Sequence, residues 1–338
     1  MLKLLPYRHY TLLFITFSII FLAVSSFADQ QKKVLFISSY HPGFPTFFQQ
    51  VNGIKSIFDG KNILLDIEYM DSKRFPQKEQ TILFLNTLRY KLNHTSSYDA
   101  IIVSDDNAFD FAVEQQNKLF KDLPIVFMGV NNIESALEQN GNSQITGVIE
   151  TVSILETIEL MRRLRPMAKR IVAIVDNTPS GQGDLKKFYK VADELTTHQF
   201  SEISLASQSW PKFLDSLGSI GKDSAVLLLS AYRDKNNKTY LFQESLETIK
   251  ERLKVPIFHL WYHGIGDGLI GGKVISHFEQ GKTAADIALR ILSGAPIEQI
   301  KVIDVSPNKY VFDFNELEKF NVQSSLLREN SSILNNPH

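Results

Sequence analysis

The stretch "VLFISSYHPGFPTFF", Val34 to Phe48, sets the reading of the chain. An apolar run beginning at Val34 passes directly into two serines, a tyrosine, a histidine and two prolines, and a helical pattern follows. Phe47, Val51, Ile54 and Phe58 recur at i, i+4, i+7 and i+11, the spacing of one helix face. Strand, polar turn and amphipathic helix in that order is the opening unit of a parallel α/β sheet. Pro42 and Pro45 disfavour the helical region for His41 and Phe44, so the loop is expected to stay extended until the helix starts near Thr46.

The same grammar continues outward. Further strands are expected at Ile63 to Tyr69, Ala100 to Val103 and Ile125 to Val130, with a helix over Thr81 to Leu92, and this series ends near Gly147. A second series starts at "TVSILETIELMRRLRP", where Ser153 and Glu156 are spaced as a capping box and Pro166 marks the helix end. Its strands are expected at Ile171 to Val175, Ala225 to Leu229 and Ile257 to Trp261. A late helix carries Ala284, Ile287, Ala288 and Ile291 on one face and closes at Gly294, and on pattern alone it could return to either half. The fold class is therefore α/β, with two halves of similar construction.

Residues 1–28 read as an export signal: Lys3 and Arg8, an apolar run from Leu12 to Val24, and small residues at Ser26 and Ala28, with cleavage expected after about Ala28. The apolar run of about 13 residues falls short of the roughly 20 that span a bilayer. Without the signal, 34 basic residues face 37 acidic ones, a net charge near −3, which gives no footing for nucleic acid or an anionic membrane. The chain has no cysteine, which excludes disulfides, thiolate metal sites, cysteine nucleophiles and a lipidated cysteine. An exported chain of this kind suits a periplasm, and its length suits two lobes.

In open parallel sheets ligands bind beyond the carboxyl ends of the strands, where the strand order reverses. The candidate ligand-binding residues are those that follow each strand. They are Ser39, Tyr40 and His41; Asp105, Asp106 and Asn107; Asn131; Asp176, Asn177 and Thr178; Ser230, Tyr232 and Arg233; and Trp261 and Tyr262. Each has a plainer alternative. One of the two aspartates could be a helix N-cap while the other faces a ligand, Asn131 could only turn the chain, and His41 could brace its loop. Arg233 could pair with Asp234 or clamp a ligand carboxylate, and Trp261 could be core or a stacking platform.

Enzyme motifs fail. "GDGLIG" at Gly266, Gly268 and Gly271 fits G-x-G-x-x-G but runs into strand-like "KVIS" instead of a helix. "TPSGQGD" lacks the Gly-Lys-Ser/Thr of a phosphate loop, and no G-x-S-x-G occurs. "HLWYH" spaces His259 and His263 four apart, but in a strand-like context without the glutamate of a zinc motif. No catalytic residue, metal or cofactor is expected.

The segments "VLFISSYHPGFP", "YMDSKRF", "SDDNAFDF", "PIVFMGVNN", "LLLSAYRD" and "GLIGGKVISHFEQGKTAADIALRILSG" together resemble the ABC transporter substrate-binding protein family of type I periplasmic binding fold. The ending "PNKYVFDFNELEKFNV" is similar to that family's last strand and short helix. The resemblance implies two Rossmann-like lobes joined by three crossovers, with a ligand cleft between them. One lobe would be residues 29–147 plus 277–303 and the other 148–276 plus 304–338. It also implies a monomeric periplasmic receptor that closes on a small polar metabolite, such as an amino acid or related zwitterion with an aromatic part. Its partner would be an inner-membrane ABC permease. A membrane sensor protein, a separate histidine kinase or diguanylate cyclase, is the alternative partner.

Overall fold

The computed structural model describes residues 31–337, and the export signal expected over 1–28 lies outside the described residues. The first sheet is built from β1 (Lys32–Ser38), β2 (Ile63–Tyr69), β3 (Ala100–Ser104), β4 (Ile125–Val130) and β5 (Ile145–Ile149). Its order is β2-β1-β3-β4-β5, parallel throughout, with Phe36 beside Ile67 on one side and Ile102 on the other. Around it run α1 (Phe47–Phe58), α2 (Lys78–His94), α3 (Asp105–Gln115) and the short α4 (Ile133–Leu137).

The second half contributes α5 (Ile154–Leu164), β6 (Arg170–Val175), α6 (Pro179–Glu194), β7 (Gln199–Ser204), α7 (Trp210–Gly218), β8 (Ser224–Leu228), α8 (Phe242–Arg252), β9 (Ile257–His259) and β10 (Gly271–Val274). After α9 (His277–Leu292) come β11 (Lys309–Asp313), α10 (Phe314–Lys319) and β12 (Ser332–Leu334). The second sheet is ordered β12-β11-β10-β9-β8-β6-β7, and only the β10–β11 pair is antiparallel. Each sheet is covered on both faces by apolar clusters, which explains the unbroken apolar runs of β3, β4 and β8.

The late helix α9 belongs to the first sheet. Ala284, Ala285, Ile287 and Ala288 share a cluster with Phe36 and Ile54. The helix lies backbone to backbone on α1: a Cβ on Gly53 would meet the Phe278 carbonyl at 2.1 Å, and one on Gly281 the Gln50 carbonyl at 2.2 Å. The chain therefore passes between the sheets three times, through 150–153, 275–276 and 304–308.

These passages are tied to one another. Gln280, fully buried, donates to the Ile149 carbonyl at 3.0 Å and to Ser306 Oγ at 3.2 Å, and accepts from Gly129 N–H at 3.2 Å. Asn308 donates to the Thr151 carbonyl at 2.7 Å and to Ser153 Oγ at 2.9 Å. Among the described residues no helix is long and apolar enough to cross a membrane.

The structure departs from local expectation in four places. The loop after β1 is two consecutive turns and not an extended segment: Phe44 N–H reaches the His41 carbonyl at 2.9 Å and Phe47 N–H the Phe44 carbonyl at 3.1 Å. Pro42 and Pro45 each occupy the second position of a turn, where the fixed proline φ is an asset. The capping box does not form, because Ser153 Oγ is taken by Asn308 and Glu156 pairs with Lys273 at 2.6 Å. The strand expected to reach Trp261 ends at His259, with Trp261 holding only an isolated bridge to Ile275. The polar edge strand β7, "QFSEIS", has no apolar run to announce it.

Candidate ligand-binding crevice

In the first sheet the strand order reverses at β1, whose neighbours β2 and β3 lie on opposite sides, and in the second it reverses at β6 between β7 and β8. The loops that part at these points carry Ser38 to His41 and Asp105 to Asn107 in one lobe, and Asp176 to Thr178 and Ser230 to Arg233 in the other. Most of the candidates lie at these two switch points, while Asn131 follows β4 and Trp261 and Tyr262 follow β9. The side-chain geometry divides those candidates into groups already bonded within the fold and groups left free.

In the first lobe Ser39 is fully buried. Its hydroxyl donates to the Ser104 carbonyl at 2.7 Å and accepts from Ala108 N–H at 2.8 Å, stitching β1 to the start of α3. His41 Nδ1 accepts from Gly43 N–H at 3.0 Å, so it braces its own turn. Asp106 Oδ1 accepts from the N–H groups of Asn131 and Asn132 at 2.9 and 3.1 Å, which joins α3 to the end of β4. Asn131 and Asn107 are exposed. Tyr40 is half-buried on Phe44, with ring centroids 4.4 Å apart and Lys73 Nζ 5.3 Å from its own ring. Burial, and then the charges of Asp105, Asp106 and Glu150, push its phenol well above the ordinary range, so it stays protonated.

Asp105 differs from its neighbour. It opens α3 with φ +65, a conformation that costs an ordinary residue about 1–2 kcal/mol, and its carboxylate is buried. Gln50 Nε2 donates to it at 3.2 Å. Burial, and then the nearby charge of Glu150, push the Asp105 carboxyl up to about 7, against the opposing effect of His277. Glu150 begins the first passage between the sheets, and His277 ends the second. His277 Nδ1 lies 3.5 Å from Glu150 Oε2, an ion-pair distance too long for a good hydrogen bond.

In the second lobe Asp176 is fully buried and fully engaged. It accepts from Ser230 Oγ at 2.9 Å, Thr178 N–H at 2.9 Å, Thr178 Oγ1 at 2.5 Å and Tyr232 N–H at 2.7 Å. Thr178 Oγ1 also accepts from Gly181 N–H as the cap of α6. Thus Asp176, Thr178 and Ser230 weld the ends of β6 and β8 together. Asn177 is half-buried, and its Oδ1 has no partner. The local Arg233–Asp234 pair does not form, because Asp234 accepts instead from Asn236 N–H, Lys238 N–H and Tyr240 OH. Arg233 is half-buried, and its buried Nε has no partner.

Beside it stands a stack of rings. His259 lies 5.7 Å from Phe242, 5.3 Å from Trp261 and 5.2 Å from His263 between centroids, and Tyr232 OH is 3.5 Å from His263 Nε2. His259 Nδ1 bonds the Leu228 carbonyl at 2.8 Å, which fixes the proton on that nitrogen and leaves Nε2 as an unpartnered acceptor. Burial pushes its pKa down to about 3, and burial with the charge of His277 takes His263 down to about 4. Trp261 and Tyr262 are half-buried against the clusters on opposite faces of the second sheet.

The sequence reading missed Gln50, Glu150 and His277, because each belongs to a helix start or an inter-sheet passage and not to a strand end. In the sequence His259 shows only as the spacing partner of His263, which is itself one of the polar or aromatic groups after the strand expected to reach Trp261. Among the described residues no group of three or more His, Cys, Asp or Glu is placed to hold a metal ion.

A model of the family described as ABC transporter substrate binding protein matches residues 111–333. No curated protein matches the chain significantly by sequence. Solved structures of similar fold include a ligand-free, open substrate-binding protein with adhesive properties from Clostridium difficile. It is 16% identical, with 90% of this chain and 99% of that one covered and a TM-score of 0.67. A Streptococcus pneumonia ABC domain in complex with L-Trp is 15% identical, covering 90% and 100%, with a TM-score of 0.61. A conserved domain protein from Vibrio cholerae is likewise 15% identical over 90% and 100%, with a TM-score of 0.60.

Proposed function

The chain belongs to the ABC transporter substrate-binding protein family, a family of binding proteins and not of enzymes, and from that premise we propose that it is a periplasmic receptor for a small zwitterion. The ligand enters between the lobes, bending at the three passages brings the lobes together, and the closed form is what an inner-membrane permease recognises. The bodies that move are residues 29–147 with 277–303 and residues 148–276 with 304–338. The observation that carries this reading is Arg233, a half-buried guanidinium at a strand end with an unpartnered Nε. A guanidinium there suits a ligand carboxylate in bidentate contact. Tyr40, Trp261 and the histidine rings suit a planar or aromatic part, and the acidic first-lobe wall suits an ammonium group. The L-Trp complex of the pneumococcal protein makes aromatic amino acids the first compounds to try.

A thermal-shift screen of the mature chain against amino acids, sugars, nucleosides and small acids tests the reading. A ligand at 100 times its dissociation constant adds about 2.7 kcal/mol of stability, a readable shift. Arg233→Ala is then expected to weaken the identified ligand at least about tenfold in isothermal titration with little change in the melting temperature of the free protein. Unchanged affinity would remove Arg233 from the site.

A further inference from the structure

Asp105, Glu150 and His277 meet where the lobes join, and no more than 6% of any of them is exposed. They come from three elements: the first residue of α3, the first passage, and the first residue of α9. The groups facing them are Tyr40 from the loop after β1, Gln50 from α1, Asp106 from α3 and His263 from the loop after β9. Three carboxylates thus stand against two imidazoles, of which His263 is held neutral. Among the described residues no lysine or arginine forms an ion pair with Asp105, Asp106 or Glu150.

Buried carboxylates without cations are costly, and a protein avoids that cost by keeping protons on them. Asp176 and Asp106 show the other solution, in which the carboxylate is surrounded by N–H and O–H donors of the fold. The joint cluster lacks this solution. Glu150 Oε2, His277 Nδ1 and Gln50 Oε1 are all buried without a hydrogen-bond partner. Nor does the joint need the cluster to hold it together, because Gln280 and Asn308 tie the passages with satisfied amide groups. Two buried acceptors, Glu150 Oε2 and Gln50 Oε1, poised without donors where the lobes join, describe the seat of a cation that arrives from outside.

We propose that a cationic nitrogen of the ligand sits among Asp105, Glu150 and Gln50 beside His277 and displaces a proton that the cluster carries when empty. This rests on the reading that the crevice takes a solute. The exchange balances: one ammonium enters, and one proton passes to solvent. Both Asp105 and His277 hold protons more firmly than usual, Asp105 mainly through burial and His277 through Glu150 in spite of burial. Raising the pH therefore removes the competitor, and affinity rises by up to about tenfold per pH unit between pH 6 and 8.

The test uses the mature chain with L-lysine, L-tryptophan, tryptamine, putrescine, D-ribose, uridine and citrate as probes, in thermal-shift assays at pH 6 and pH 8. The expected result is stabilisation by amine-bearing probes, stronger at pH 8, and lost in Glu150→Gln and in Asp105→Asn. The second variant keeps the test alive if the first does not fold. Stabilisation by ribose, uridine or citrate at least as strong as by the amines, or amine binding equal at the two pH values, overturns the proposal and leaves the receptor reading standing. Silence from every probe counts against the receptor reading. A second arm then decides the proposal by following the His277 ring resonance through a pH titration in methylammonium chloride and in sodium chloride of equal ionic strength. A lower midpoint in methylammonium supports cation–proton exchange, and identical midpoints overturn it.

Discussion

The crevice wall at β1 and β3 and the wall at β6 and β8 rise from the same topological feature, yet they use their carboxylates in opposite ways. Asp176 in the second lobe accepts from four donors, two backbone N–H groups and two hydroxyls of the same wall, so its oxygens are satisfied within the fold. Asp105, which follows the strand next to the switch strand in the first lobe, has one amide donor and two charged neighbours. The second wall fills the remaining space with histidine rings held neutral, and the first fills it with acids short of partners. Topology sets where side chains gather. Local donors decide whether a gathered charge is part of the scaffold or is available to a ligand.

The largest expected effect tests the scaffold side of that contrast. Asp176→Ala strands four donors in a buried site and is expected to cost about 4 kcal/mol in urea unfolding, whereas Asp106→Ala, with its bonds near the surface, costs about 1 kcal/mol. Equal losses would break the distinction between a welded wall and a braced one.

Acid should weaken the second wall first. His259 and His263 have folded pKa values near 3 and 4, below the unfolded value. Their contribution is therefore complete above about pH 6.5 and is lost as the pH falls toward those folded values. By pH 5 the loss is about 2 kcal/mol for each ring, read as a drop in unfolding free energy, and His259→Phe is expected to blunt it.

The first wall should behave in the reverse sense. Asp105 has a raised folded pKa, so its site is most stable when protonated and loses stability as the pH climbs from about 4 through 7. Asp105→Asn is expected to gain on the order of 2 kcal/mol at pH 8 and nothing near pH 4. A gain that does not depend on pH would assign the effect to the φ of +65 instead, since asparagine tolerates that region better than most residues.

Much of this architecture was legible in the chain. The runs at Ile125 to Val130 and Ile171 to Val175 are continuous because both faces of each sheet are covered, and that pattern needs no partner to be read. The edge strand β7 escaped because an edge position demands no apolar run. Ser39, Asp176 and Ser230 were legible as strand-end polar residues, but their engagement within the fold was not. A hydroxyl that bridges two strands 54 or 65 residues apart looks the same in sequence as one that faces a ligand. Glu150 and His277 were silent for a related reason: they stand 127 positions apart in the chain, and only the triple passage between the sheets brings them to 3.5 Å.

The sequence by itself determined that the chain alternates strands and helices in two series, that polar and aromatic residues crowd the carboxyl ends of those strands, and that cysteine chemistry is absent. Periodicity and residue type are local properties, so they survive without a fold. Periodicity left the place of α9 open, and the structure sets it on the first sheet, where the family resemblance put it; the tertiary structure alone decided that "SSYHPGFP" is two proline turns with its second serine bonded inside the wall, and that the unpartnered acceptors lie at the joint between the lobes. Those outcomes depend on which distant groups supply donors, and only the packed chain determines that.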